Sequence, residues 1–232
     1  MRPFSGRERV NILDPVVEPF WSGERVIAHI DLPGGGGSAR AVRLIDTVGA
    51  DLAPGLARLS AALSDSIRAT DAIVDGVISR QVFLSGIGTA PVPEVRTSQV
   101  SLLMRGRSEV DVTRHDGPAI DVTRHDGPAV EPDEAPDTIE GGGFVAVDLL
   151  RVDGTDLLDV PLLERKRLLE SVVAESLLVR VSGHVRPPVE TWVATWKSLG
   201  LRGGMLKAAN SRYEPGEVTI EWRIVESVGR GR

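Results

Sequence analysis

The chain has no cysteine. Disulfides and thiolate metal sites are therefore excluded. Lysine is scarce: of 27 basic residues only Lys166, Lys197 and Lys207 are lysines, and none lies before position 166. A reaction that draws a lysine nucleophile from the N-terminal half is excluded by that distribution. Aromatic residues make up 4% of the chain, with a single tyrosine. Apolar runs are short and broken by charge, so none reads as a transmembrane span and no membrane partner is expected. The opening residues, MRPFSGR, lack the apolar core of a signal peptide, and together with the missing cysteine this fits a cytoplasmic protein. Positive charge is also in deficit. A formal net charge of −6 does not suit a surface that grips DNA through its phosphates, so DNA binding by this chain alone is expected to be weak or absent.

What is present is ordinary for a globular protein. Its 232 residues, 41% hydrophobic and 26% charged, suffice for one large domain or two small lobes with a real core. The segments 25–31 (RVIAHID) and 40–46 (RAVRLID) read as two strands joined by the glycine-rich turn at 33–38. That glycine run lacks the following G-K-[ST] and helix of a phosphate loop. Apolar residues at 52, 56, 59, 63 and 67 predict a helix over 51–69. Residues 72–84 return to strand composition, with Asp75-Gly76 inside, and 85–93 read as a loop.

A decapeptide then repeats: DVTRHDGPAI at 111–120 and DVTRHDGPAV at 121–130. Two copies are too few for a solenoid. With the acidic, proline-bearing stretch 131–140 they read as a surface insertion at about 108–142, and His115 and His125 as part of it rather than as metal ligands.

Order is expected again at 144–152 (FVAVDLLRV), a buried strand closed by Asp153-Gly154. Asp159 is placed to cap a helix with Pro161 in its first turn, whose apolar face uses Leu162, Leu168, Leu169, Val172 and Val173. A strand over 177–182 precedes a second amphipathic helix through Val189, Trp192, Val193, Trp196 and Leu199, stopped by Gly200. Both tryptophans read as core residues. Val218, Ile220, Trp222 and Ile224 alternate with polar residues and predict a half-buried strand over 217–226. Strands and helices interleave without a βαβ rhythm, which makes the class α+β with largely antiparallel sheets.

Several of these segments carry a resemblance. Residues 18–25 (EPFWSGER) resemble the E-x-K-x-D-G-x-R motif of ATP-dependent DNA ligases, and 144–169 (FVAVDLLRVDGTDLLDVPLLERKRLL) resemble that family's F-D-L-L strand, D-G turn and D-x-P-L-x-E-R-R helix. LGLRGGMLKAANSRYEPG at 199–216 is similar to L-G-L-E-G-[IV]-[VM]-x-K…S-x-Y-x-P-G. The blocks run in family order from residue 18 to 226. The resemblance is to the adenylation (nucleotidyltransferase) domain of bacterial ATP-dependent DNA ligases. It implies an ATP-grasp-like architecture of two largely antiparallel sheets flanked by helices, forming a single domain over 1–228.

In such a domain the resemblance implies a lysine that takes AMP from ATP, an aromatic ring stacked on adenine, carboxylates holding a metal, and cations on the phosphates. Here Phe20 stands in the lysine position, with Ser22 where the motif has aspartate. Thr47 replaces the arginine of S-R-N-G, and Val77 the glutamate of D-G-E. Val147 replaces the aromatic of F-D-L-L and Arg202 the metal-binding glutamate of E-G. Ile224 and Glu226 replace the two lysines of W-x-K-x-K. Glu18, Arg25 and Lys207 remain.

The expectation is a degenerate nucleotide cleft lined by Glu18, Phe20, Arg25, Thr47, Val77, Val147, Arg202, Lys207 and Ile224, with no catalytic residue, no metal ligand and no cofactor. Glu18 and Arg25 are expected either to touch a nucleotide or to form surface ion pairs. The sequence ends soon after the last block, so the oligonucleotide-binding fold of the family is expected to be missing. The function implied is a catalytically defective homologue with a binding or scaffolding role beside a true ligase or another DNA-repair protein. Two alternatives stand beside it: a divergent active ligase or nucleotidyltransferase using ATP and Mg, with Lys166 or Lys207 as substitute nucleophile, and a protein-interaction module without nucleotide.

Overall fold

Alternation along Val26-Ile27-Ala28-His29-Ile30 gives a strand with two different faces, and the structure buries one and half-buries the other. The computed structural model describes residues 1–4, 12–31, 41–83 and 142–226, all within one compact unit. The glycine-rich turn at 33–38, the loop at 85–93 and the insertion around 108–142 lie outside the described residues, apart from Gly142.

In chain order the elements are β1 (Arg2–Phe4), β2 (Pro15–Pro19), β3 (Glu24–Asp31), β4 (Ala41–Asp46), α1 (Ala57–Ser66), β5 (Asp71–Ser79), β6 (Gly143–Val152), β7 (Thr155–Asp156), α2 (Leu162–Val172), β8 (Val179–Val181), α3 (Val189–Ser198), β9 (Gly204–Ala208) and β10 (Val218–Val225). They form two sheets. One has the order β1-β10-β9-β2; the other runs β4-β3-β5-β6-β7, with β8 also on β6. Pairing is antiparallel except for β1 with β10 and β6 with β8. The α+β class and the two-sheet architecture are as the sequence predicts.

The six-stranded sheet is a middle layer. Val26, Ala28 and Ile30 of β3, Val74 and Ile78 of β5, and Phe144 and Leu149 of β6 face Leu59 and Leu63 of α1 and Leu169 and Val172 of α2. Its opposite face meets the four-stranded sheet through two smaller apolar clusters. Val77 and Val145 pack with Val17, Trp21, Trp196 and Leu206; Ile27, Ile73 and Leu150 pack with Met205, Tyr213 and Trp222. The period of two along β3 and β5 thus sends alternate side chains into two cores.

Several local expectations need correction. The first helix spans 57–66 rather than 51–69, because Pro54-Gly55 turns the preceding residues into a short 3-10 segment (Ala53–Gly55). Asp75-Gly76 lies mid-strand in β5, as the composition of that segment suggests. A β-carbon at Gly76 would lie 2.2 Å from the Phe144 ring, so the glycine makes room for an aromatic on the neighbouring strand. Asp159 does not cap α2: Pro161 occupies the cap position, and the first free amides donate to distant carbonyls, Leu162 N to Ser211 O at 3.1 Å and Leu163 N to Ala209 O at 3.1 Å.

The buried face of α2 is Leu162, Arg165, Lys166, Leu169 and Val172, while Leu168 is exposed. Trp196 is buried and Trp192 half-buried. In β10 the strict alternation fails, since Val218 and Ile220 are exposed and Thr219 and Trp222 are buried. The β1–β10 register shifts at this point, so the in-facing positions change phase.

Candidate functional site

Several of the residues singled out from the sequence meet partners that the sequence reading missed. Glu18 is the fourth residue of β2, directly opposite Met205 of β9. Its carboxylate lies between two ammonium groups: Lys166 Nζ is 3.0 Å from Oε1 and Lys207 Nζ is 3.0 Å from Oε2. Both lysine side chains are 0% exposed and that of Glu18 is 2% exposed. Lys166 also donates to Ser182 O at 3.2 Å, and Lys207 stands 4.3 Å from the centre of the Trp222 ring. Glu18 is therefore neither a surface ion pair nor open to solvent; it is the single anion of a buried triad.

Two bidentate pairs continue this belt. Arg25 Nε and Nη2 donate to the two carboxylate oxygens of Asp75 at 2.9 and 2.6 Å, and Tyr213 donates its hydroxyl to the same carboxylate at 2.9 Å. Arg25 Nη1 donates to Met1 O at 2.6 Å. Arg165 donates to Asp148 at 2.9 and 2.8 Å, with both side chains 0% exposed, and its Nη1 also reaches Ser211 O at 3.1 Å and Val160 O. The guanidinium fork matches the carboxylate geometry in each pair. The four cations Arg25, Lys166, Arg165 and Lys207 face the three anions Glu18, Asp75 and Asp148, which leaves one positive charge in excess, located in the Glu18 triad.

The electrostatics follow from that excess. Burial alone would raise the Glu18 carboxyl, but the two ammonium groups outweigh it and hold it below the usual carboxylate range. Burial pushes Lys166 down; Glu18 supports its charge and the Lys207 ammonium opposes it. Burial and the Asp75 carboxylate both push the Tyr213 phenol up, so it remains a neutral donor. Asp75 overcomes the burial of Arg25 and raises that guanidinium above its ordinary value.

His184, beside the triad, is held below the ordinary histidine range by burial and by Lys166, with Arg186 acting in the same direction and Glu18 and Glu170 opposing. His29 is lowered by burial and Arg43, against Asp31 and Asp51. A histidine depressed in the folded state binds its proton more readily when unfolded. Stability is therefore fully present above the unfolded pKa of about 6.5 and is lost as pH falls from there through the lower folded values. Urea midpoints are expected to drop between pH 7 and pH 5, and less steeply in His184→Gln; an unchanged slope in that variant would contradict the assignment.

The other predicted cleft residues are placed as follows. Phe20 is half-buried and donates its amide to Gly203 O at 3.0 Å, one rung beyond the end of the β2–β9 ladder. Arg202 lies over its ring, 5.4 Å from the centroid, and pairs with Glu226 at 2.5 Å. Val77 is packed in the apolar cluster with Trp21 and Val145. The β5–β6 register passes from Asp148 to Ala146, so Val147 is the extra residue of a bulge, half-buried. Ile224 is half-buried opposite Met205. Thr47 is exposed in the turn after the edge strand β4. A β-carbon on Gly203 would lie 2.2 Å from Val225 O, so this glycine is required by the approach of β10.

The structure therefore unites Glu18 with Lys207 and Phe20 with Arg202, seats Arg25 on Asp75, and gives Thr47 an exposed turn. Lys166, Arg165 and Tyr213 are the functional-looking residues that the sequence reading left out of the site. Their signal was available for α2, because 162, 165, 166, 169 and 172 form a better helical stripe than the apolar residues alone.

Phosphate oxygens are held by cationic donors, and a divalent metal by oxygen ligands such as carboxylates. The four cations of the belt each lie against a carboxylate, with Lys166 and Lys207 sharing one. A guanidinium stands at 202, where the resemblance implies a metal-binding carboxylate, and the described residues contain no group of three His, Asp or Glu arranged to hold an ion.

Comparison with known proteins agrees with the architecture. Residues 140–223 match the family described as ATP dependent DNA ligase domain. Over 88 residues the chain is 39% identical to a probable DNA ligase of Streptomyces avermitilis, covering 36% of this chain and 17% of that protein. Over 79 residues it is 34% identical to a DNA ligase of Thermococcus fumicolans, covering 32% and 14%. The matched stretches are thus a small part of those relatives. Among solved structures, the ligase domain of M. tuberculosis LigD superposes with a TM-score of 0.51 at 21% identity, covering 90% of this chain and 52% of that one. A mycobacterial DNA ligase D complexed with ATP and MES gives a TM-score of 0.55 at 21% identity, covering 95% and 58%. The chain has the fold of an ATP-dependent DNA ligase adenylation domain.

Proposed function

We propose that this adenylation-type domain is catalytically defective and serves as a binding or scaffolding element, beside a true ligase or another DNA-repair protein. One observation carries the reading. The chain has three lysines; two of them are buried against Glu18 with 0% side-chain exposure, and Lys197 is exposed on the last turn of α3. An amine must present a free lone pair to attack phosphorus. Lys166 and Lys207 instead serve as counter-ions to a carboxylate, and Phe20 has no lone pair to offer. Filling of the inter-sheet space by Val77, Val145 and Trp21 supports the same reading. The net charge of −6 favours a protein partner over DNA.

Thermal unfolding with millimolar ATP and Mg is the direct test of nucleotide binding. A ligand at a hundred times its Kd stabilises by about 2.7 kcal/mol, which is read as a rise in melting temperature. No rise is expected here. A saturable rise specific to ATP would overturn this reading and favour a nucleotide-binding or divergent catalytic role.

A further inference from the structure

The two halves of β10 have different neighbours. Residues 222–225 are paired with β9, from Trp222 opposite Lys207 to Val225 opposite Gly204. That ladder stops at Trp222. Residues 218–221 lie beyond it, and their neighbour is the three-residue β1, through Arg2 opposite Val218 and Pro3 opposite Thr219. The chain that continues β9 is drawn off to other elements: Ala209 N donates to Asp14 O at 3.1 Å, and Ala209 O accepts from Leu163 N at 3.1 Å. Among the described residues no other strand lies beside 218–221.

Backbone alternation decides which groups this leaves open. Arg2 N donates to Glu217 O at 2.7 Å, so Glu217 turns towards β1. Val218 and Ile220 then turn their N–H and C=O groups the other way, to the side from which β9 has departed. The same two residues carry bare apolar side chains, 54% and 59% exposed, with the buried Thr219 between them. Leu13, Val48 and Leu177 are comparably exposed but lie singly, outside strands and helices. The other edge of this sheet is blunted. Pro15 and Pro19 of β2 have no N–H, and Val17 exchanges both its backbone bonds with Val185, at 2.8 and 2.9 Å. The run Val218-Thr219-Ile220 has neither proline nor charge to blunt it.

We propose that residues 218–221 are a docking strand that takes an extended segment of a partner protein by strand addition, a segment in which apolar residues alternate with lysine or arginine. Backbone groups of Val218 and Ile220 supply the ladder, and their side chains pack on the apolar residues of the incoming segment. Charge selects this occupant. A second copy paired antiparallel about Thr219 would set Glu217 against Glu221 of that copy at both ends, like charges directly opposed. A segment with cations at those places meets both exposed carboxylates instead. Arg2, the cation of β1, lies on the opposite side of the strand and donates to Gly216 O at 3.4 Å. This gives the binding role above a surface and rests on it; the test needs no ATP, so its failure removes the docking strand and leaves the catalytic reading to the ATP experiments.

Two fluorescein-labelled heptapeptides, one alternating lysine with valine and the other glutamate with valine, serve as probes in fluorescence anisotropy. Saturable binding of the lysine peptide is expected, at least about tenfold tighter than that of the glutamate peptide, from cross-strand charge pairs at both ends. Ile220→Lys and, separately, Val218→Lys are expected to weaken it about tenfold or more, by removing an apolar contact and adding a like charge. Leu177→Lys makes the same change in net charge at an exposed residue far along the chain and is expected to bind like the parent. Glu217→Lys with Glu221→Lys is expected to reverse the preference in favour of the glutamate peptide. All the substituted residues are exposed, and matching melting temperatures confirm that the variants fold. The proposal is overturned if the lysine peptide does not saturate or if Leu177→Lys weakens it as much as Ile220→Lys does. It is also overturned if the doubly reversed variant keeps the parent's preference. A concentration-dependent dimer of the parent that Ile220→Lys dissolves would equally overturn it, because the strand would then be occupied by a second copy.

Discussion

Glu18→Gln is expected to lower the unfolding free energy by about 3–5 kcal/mol, the cost of removing one partner from a buried ionic cluster. The variant leaves two ammonium groups, both 0% exposed, with no carboxylate between them. For a chain of this size that corresponds to a fall in melting temperature of about 6–20 °C. Lys166→Met is expected to behave very differently. It removes the excess charge, leaves Glu18 paired one-to-one with Lys207, and puts an apolar side chain where burial already disfavours the ammonium. Replacing members of buried ionic clusters by apolar residues of similar size is often neutral or stabilising, so a change within about 1 kcal/mol is expected. Urea unfolding of the two variants gives the contrast. Equal losses would mean that the lysines are not in excess.

The Asp148–Arg165 pair gives the second large effect. Asp148→Asn is expected to cost about 3–5 kcal/mol, because a guanidinium at 0% exposure loses its carboxylate partner. Here the two sites part in their pH dependence. Burial already pushes Lys166 below its ordinary value, and without Glu18 less opposes that push, so Glu18→Gln regains stability as pH rises through the lowered folded value towards the unfolded one of about 10.4. Arginine does not deprotonate in this range, so Asp148→Asn gains nothing from alkali. Parallel unfolding curves at pH 7 and pH 9 separate the two cases. Recovery of Asp148→Asn at pH 9 would show that Arg165 is not the group left uncompensated.

In the acid direction, Glu18 contributes stability that is present above its unfolded pKa of about 4.3 and is lost as pH falls through its lower folded value.

The strands were legible because alternation survives burial on two sides: β3, β5 and β6 lie close to where their patterns place them. α3, with Val193 and Trp196 buried and Gly200 past its end, was legible for the matching reason of helical period. The charged interior was not. A helix reading that counts only apolar residues assigns Leu168 inward and Arg165 and Lys166 outward, the reverse of what the structure shows. Nothing local in the sequence says that Glu18 will find two lysines from residues 166 and 207, since tertiary pairing across more than 140 residues sets that burial. The bulge at Val147 and the phase change in β10 escaped for a similar reason, because register belongs to the partner strand as much as to the sequence. Asp159 failed as a cap because backbone carbonyls of Ala209 and Ser211 reached the helix start instead.

The family motifs located the right neighbourhood, and the substitutions within it acquire a physical sense once placed. Val77 joins an apolar cluster, Phe20 lies under Arg202, and Arg202 and Glu226 are partners of each other. The retained charged positions, Glu18, Arg25 and Lys207, are each engaged with another side chain of the same belt.

The most direct measurement is the intact mass of the purified chain after incubation with ATP and a divalent cation, Mg or Mn. The account predicts an unchanged mass at every ATP concentration and time. A covalent AMP adduct mapped to Lys166 or Lys207 would contradict it, because both amines are buried counter-ions of Glu18 and neither is a free nucleophile.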